Sequence, residues 1–216
     1  MPKILTTHDV KQFRQQLCDL ALKAFAEHGL EGISLRALAA AAGCSRTTPY
    51  RYFKNKADIL AAVRQSEFQR MADATELVAQ GESNPDKRLR AIAQYYIQFA
   101  LERPDAYRVM YGVSQRDEQH YPELVEQIKR TQQPMVTAVE EAVEAGLIHG
   151  DPVNIVHVLW AGLHGLISLH LSDKLHMGRS IDELAEVMLR SLTRAVATKP
   201  SRQPAARRIM ETDTHE

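Results

Sequence analysis

Residues 34–56 hold the side chains best suited to chemistry in this chain. Ser34, Arg36, Arg46, Thr47, Thr48, Tyr50, Arg51, Tyr52 and Lys56 bring hydroxyls, guanidinium groups, phenols and an ammonium into one short stretch. Such groups donate hydrogen bonds to phosphate oxygens and reach base edges. No nucleophile stands beside a base among them. The stretch is poor material for a core and good material for a groove in duplex DNA.

Two short helices with a tight turn must position these groups. Ser34 can cap the first, since its hydroxyl accepts from free N–H groups of the opening turn. Leu35, Leu38, Ala39 and Ala42 then recur at helical spacing. Ala39 is small enough for a close helix crossing, and Gly43 supplies the positive φ that ends the helix. Pro49 is the apolar residue of the second helix that faces back into the domain, with Leu38, Ala42, Cys44 and Phe53 around it. With Ser45 as the second cap, Pro49 removes the first regular backbone hydrogen bond. With Thr48 as the cap, Pro49 occupies the favoured first position. Either arrangement predicts an irregular start.

The run Tyr50, Arg51, Tyr52, Phe53 and then Lys56, with 20–29 upstream (Leu20 through Phe25 to Gly29), resembles the DNA-binding domain of TetR-family transcriptional repressors. The resemblance covers about the first 60 residues. Pro49 departs from it, because the family usually has Leu or another ordinary apolar residue there. The resemblance implies a homodimer on a palindromic double-stranded DNA operator, released by a small-molecule effector of unknown identity. The alternative is a DNA-binding dimer controlled by a protein partner. Ser34, Tyr50, Tyr52 and Lys56 are then assigned to phosphates. Arg36, Arg46, Thr47, Thr48 and Arg51 are candidates for base edges. Tyr52 has a competing place in the core of the head.

The balanced total of charges conceals an asymmetry: residues 1–64 carry a net +5 and the remainder a net −5. The basic part is where phosphate attraction is needed. Cys18 and Cys44 fall at apolar positions of predicted helices and read as buried free thiols. No signal peptide and no uninterrupted apolar run of membrane length are visible. The protein is expected to be soluble and cytoplasmic, with no membrane partner.

The whole chain reads as all-α, with about nine helices. Residues 1–56 form a three-helix helix-turn-helix domain, 57–198 a helical effector-binding and dimerisation bundle, and 199–216 a disordered tail. A first helix spans about 9–28. Asn55 caps a long fourth helix, about 56–79, with Asp58 returning a bond to the cap. Further helices cover about 85–102, the segment after Pro104, and 122–145. The eighth (about 152–172) and ninth (to about 197) close the chain. Val153, Leu159, Leu163 and Leu166 lie among apolar residues on nearly every face of the eighth. A second copy pairing these two helices by two-fold symmetry would cover them.

Trp160, His164 and Gly165 form a Trp-x-x-x-His-Gly motif. It resembles the C-terminal domain of one TetR subgroup. Trp160 and His164 either line an effector pocket or pack in the core or interface. Tyr95, Phe99, Tyr107, Met110, Trp160 and His164 are the candidate pocket walls. No metal is expected: His157, His164, His170 and His176 gather late, but no carboxylate or Cys stands at ligand spacing. No cofactor and no enzymatic role is expected, since nothing arranges His164, Tyr107 and Glu102 as a nucleophile with its base.

Overall fold

The computed structural model describes residues 6–113, 118–176 and 178–197. They form eight α-helices and three short 3₁₀ turns, with no strand among the described residues. The predicted tail, 199–216, lies outside them. The helices are α1 (Thr7–His28), α2 (Leu35–Ala41), α3 (Lys56–Gln80), α4 (Pro85–Glu102), α5 (Pro104–Tyr111), α6 (Pro122–Glu144), α7 (Pro152–Leu171) and α8 (Ile181–Ala197).

The expected count of nine is corrected at one place. The second helix of the helix-turn-helix is not an α-helix; it is a pair of turns ending in a 3₁₀ turn at Pro49–Arg51. The cause is local. Pro49 has no N–H to give the Ser45 carbonyl. That carbonyl instead accepts from Thr48 N (3.0 Å), one residue short of α-helical spacing. Arg51 N then bonds Thr48 O (3.1 Å) and Tyr52 N bonds Pro49 O (3.0 Å), again at three-residue spacing.

Most helix starts follow a side-chain cap; α5 and α6 instead open on Pro104 and Pro122 with no side-chain cap bond. Ser34 Oγ accepts from Ala37 N at 3.1 Å. Asn84, Asp151 and Ser180 likewise accept from Lys87, Asn154 and Glu183. Each such cap contributes about 1 kcal/mol. Asn55 Oδ1 accepts from Asp58 N (2.9 Å), but the Asp58 carboxylate takes the Lys54 N–H (2.8 Å), not that of Asn55. The first helix begins two residues before its predicted start because Thr6 and Asp9 form a complete capping box. Gly43, at φ +62°, makes the turn after α2.

Two apolar cores lie along α3. The head core gathers Leu17, Cys18, Leu38 and Phe53, and continues up α3 through Ile59, Ala62 and Val63. Val109 of α5 and Val113 just beyond it belong to this same core. The body core holds Phe68 and Met71 of α3 together with Tyr107 and Met110 of α5. So α3 and the short α5 each place residues in both cores. α3 packs along α6 more extensively than along any other helix. Arg64 of α3 is buried; its Nε donates to the Met110 carbonyl (3.2 Å) and its guanidinium pairs with Glu118.

α7 buries Ile155, Leu159, Leu163, Leu166 and Ile167. Its other side leaves Val158 and Leu169 exposed at 52% and 45%, and Val153, on the face of Val156 and Trp160, is exposed at 60%. By length and composition it is long and apolar enough to cross a membrane. Its buried residues meet α4, α6 and α8. Cys18 is buried, and burial pushes its thiol up to about 11. Cys44, expected in a helix, sits half-buried in the turn.

Candidate nucleic-acid interface and body cavity

The head presents its polar side chains around the Pro49 turn. Arg36, Arg46, Thr47, Tyr50 and Arg51 are exposed, Tyr50 at 61%. Thr48 is half-buried. Ser45 Oγ bridges the Thr47 and Thr48 hydroxyls at 3.1 and 2.8 Å, which fixes the two threonines relative to each other. Ser34 sits at the start of α2 with its oxygen accepting, so its O–H is available to donate. Lys56 is the first residue of α3, beside that helix's free N–H groups. Tyr52 is half-buried against Phe13, ring centres 5.3 Å apart, so its ring packs in the head.

Two contacts beneath this surface have no signal in the sequence. Tyr121, just before α6, donates its hydroxyl to Asp58 Oδ1 at 3.1 Å. Arg14 of α1 lies over the Phe53 ring at 5.2 Å. The first joins the base of α3 to the body; the second fastens α1 to the reading turn. Both depend on tertiary approach between distant segments.

The body holds a cavity of about 170 Å³ that opens to solvent at one end. α3 supplies Phe68, Met71 and Thr75; α4 supplies Ile92 and Tyr96; α5 supplies Tyr111. α6 gives Ile128, Thr131, Gln132, Met135 and Val136. α7 gives Val153, Val156, His157 and Trp160. Of the six wall residues expected from sequence, Trp160 lines it. Phe99, Tyr107 and Met110 are buried in the body core, and Tyr95 tilts against Phe99 at 6.4 Å.

Tyr107 and His164 stand one layer behind the wall. Trp160 Nε1 donates to the Tyr96 hydroxyl (3.2 Å), which pairs with the Tyr107 hydroxyl (2.9 Å). Tyr107 in turn meets His164 Nδ1 at 2.6 Å. Trp160 and His164 stack, ring centres 5.6 Å apart, as their spacing predicts. Burial pushes the Tyr96, Tyr107 and Tyr111 phenols well above their usual range and holds the His164 imidazole below its own. The chain of hydroxyls is therefore neutral at neutral pH. Among the described residues no three His, Cys, Asp or Glu side chains converge.

Residues 17–63 match the family of bacterial regulatory proteins, tetR family, and residues 89–192 match the tetracyclin repressor-like C-terminal domain. Together the two matches take in most of the chain. The HTH-type transcriptional repressor AcnR of Corynebacterium diphtheriae is 33% identical over 73 residues, 34% of this chain and 38% of that one. The chain thus spans under two-fifths of that relative's length in the alignment. A protein of unknown function from Rhodococcus sp. RHA1 is 29% identical, with a TM-score of 0.77 over 92% of this chain and 100% of its own. A TetR/AcrR-family regulator from Thermobifida fusca YX-ER1 is 27% identical, with a TM-score of 0.64 over 84% of this chain and 97% of its own.

Proposed function

This chain belongs to the TetR family of transcriptional regulators, and on that premise we propose that it represses as a homodimer on a palindromic operator and is released by a small molecule. It would act in the cytoplasm, where the DNA is. The Pro49 turn faces the duplex. Ser34, Tyr50 and Lys56 bind phosphates, which set the register; Arg36, Arg46, Thr47, Thr48 and Arg51 address base edges. Tyr52 belongs with the packing that holds the turn. Trp160, His164 and Gly165 support placing the body in the subgroup that shares this motif.

The observation that carries the release step is the cavity's position on α3. Phe68, Met71 and Thr75 line it, and Lys56 starts the same helix. At 1.5 Å per residue, Phe68 lies about 18 Å along the axis from Lys56. A molecule wedged between α3, α6 and α7 moves one end of a rod whose other end carries the head. Because α5 is packed into both cores, it constrains the same movement. A shift in the separation of two heads breaks the match to half-sites about 34 Å apart. The cavity favours this reading over control by a protein partner.

The outer face of α7 supports the dimer. A Cβ added at Gly165 would meet nothing within 4 Å in a single chain. Glycine within a helix costs about 1 kcal/mol relative to alanine, so a second copy approaching closely there gives it a reason. Gly165→Leu is expected to leave the isolated chain folded and to weaken dimerisation at least ~10-fold, read by sedimentation over a dilution series. An unchanged dimer removes Gly165 from the contact.

Tyr50→Ala is expected to weaken binding to all duplexes alike, by about 3- to 10-fold, because a phosphate contact carries no sequence information. Titrations on specific and scrambled duplexes check it. The reading as a whole is tested by selecting bound sequences from random duplex DNA at moderate salt. An enriched palindrome supports it. No enrichment, including from protein refolded to remove a retained ligand, refutes it.

A further inference from the structure

We propose that the body cavity takes a compact, uncharged, mostly apolar molecule about the size of one six-membered ring, with a hydroxyl at the Gln132 and His157 end. This deepens the reading of the cavity as the effector site and rests on it.

Size comes first. The cavity measures about 170 Å³, and an apolar cavity of about 150 Å³ holds one benzene ring. Charge comes second. No Lys, Arg, Asp or Glu lines it. An ion entering would lose its hydration and find no opposite charge. The nearby Arg130 is committed elsewhere, to Asp73 and Glu76 at 2.9 and 2.7 Å across the α3–α6 surface. The aromatic rings of Phe68, Tyr96, Tyr111 and Trp160 could attract a cation through their faces, so a cation is the charged competitor to test.

Hydrogen-bonding capacity comes third. The Thr75 hydroxyl donates to Met71 O at 2.7 Å, and that of Thr131 to Gln127 O at 2.9 Å and Phe68 O at 3.2 Å. The Trp160 N–H is engaged by Tyr96. Among the described residues no buried side-chain nitrogen or oxygen lacks a partner. The interior therefore offers a ligand no free donor, only remaining lone pairs on these hydroxyl oxygens, and apolar contact supplies most of the affinity. The polar end differs. Gln132 and His157 are exposed. His157 Nδ1 lies 2.7 Å from the Val153 carbonyl, which can only accept, so Nδ1 carries a proton and in the neutral ring Nε2 is left to accept. A ligand O–H matches that acceptor.

Trp160 is the protein's single tryptophan and forms part of the wall, so its emission reports occupancy directly. The test is a fluorescence titration of the full chain with cyclohexanol, cyclohexanecarboxylate and cyclohexylammonium, with calorimetry as the second readout. Cyclohexanol is expected to bind at least ~10-fold tighter than either ion. Val156→Phe, which fills the wall, is expected to weaken cyclohexanol at least ~10-fold with an unchanged or raised melting temperature. If that variant fails to fold, Val136→Met serves the same purpose. Equal or tighter binding of either ion, no binding of cyclohexanol, or cyclohexanol binding untouched by the filling variants overturns the proposal. Failure of the effector reading is distinguishable. Cyclohexanol that binds but never alters operator affinity removes the release mechanism and leaves the ligand class standing. Operator release by a charged compound does the reverse.

Discussion

Val158→Glu is expected to give a folded monomer whose operator affinity is at least ~100-fold below that of the parent. The side chain is 52% exposed in the single chain, so a carboxylate there disturbs no core. In a two-fold pairing of α7 it would be buried twice, once from each copy. Each desolvated carboxylate without a partner costs several kcal/mol, well beyond what a dimer interface of ordinary strength tolerates. A monomer keeps one head and loses the chelate advantage of two linked half-sites, worth about 10²- to 10⁴-fold. Sedimentation gives the mass and a duplex titration the affinity. A dimer that survives would place the subunit contact off this face.

Arg103→Ala is expected to lower folding stability by about 2–3 kcal/mol, or about 4–12 °C in melting temperature for a chain of this size. Glu67 on α3 is buried, its side chain 3% exposed. Arg103, at the junction of α4 and α5, reaches it with Nε at 3.1 Å and Nη2 at 2.9 Å. Removing the guanidinium strands a carboxylate inside the protein. Arg70 at 3.7 Å compensates in part, and Arg103 is itself partly exposed, which keeps the figure below that of a fully enclosed pair. Glu67→Gln in the same chain should restore most of the loss, because a neutral amide tolerates the site. Thermal melts of the single and double variants decide it. A double variant as unstable as Arg103→Ala would mean that packing of the arginine stem, not charge, is responsible.

Five of the helix starts were legible from sequence because their caps act within three residues. Ser34, Asn55, Asn84, Asp151 and Ser180 each announce a helix by side chain alone. The irregular start at Pro49 was legible for the same reason. Its extent was not: after the bond lost at Ser45 the segment runs through three-residue spacings, and four-residue spacing returns only at its end, where Phe53 N bonds Pro49 O (3.0 Å). The cavity wall was the hardest part. Periodicity marks Phe99, Tyr107 and Met110 as inward. It does not say which of two inward directions is filled and which is hollow. α3 illustrates why. Ile59 and Val63 serve the head core, Phe68 and Met71 the body, all on one continuous helix. That division is set by where α5 and α6 cross it. Arg64 and Glu67 were likewise illegible, since a charged residue in a helix is ordinarily on its wet side; their partners, Met110 O and Glu118 for Arg64 and Arg103 for Glu67, account for their burial.

The two cysteines give the native sequence a built-in ruler. Cys18 is enclosed, and its raised thiol stays protonated at the mildly alkaline pH at which thiols are usually alkylated. Cys44 is partly accessible in the turn between α2 and the Pro49 segment. A maleimide dye or nitroxide should therefore attach at one position per chain, beside the surface that reads DNA. In a two-fold assembly the two labels define a single interlabel distance that tracks the spacing of the reading heads. Pulsed dipolar spectroscopy of unmutated protein, with and without operator, would then follow the head separation in solution.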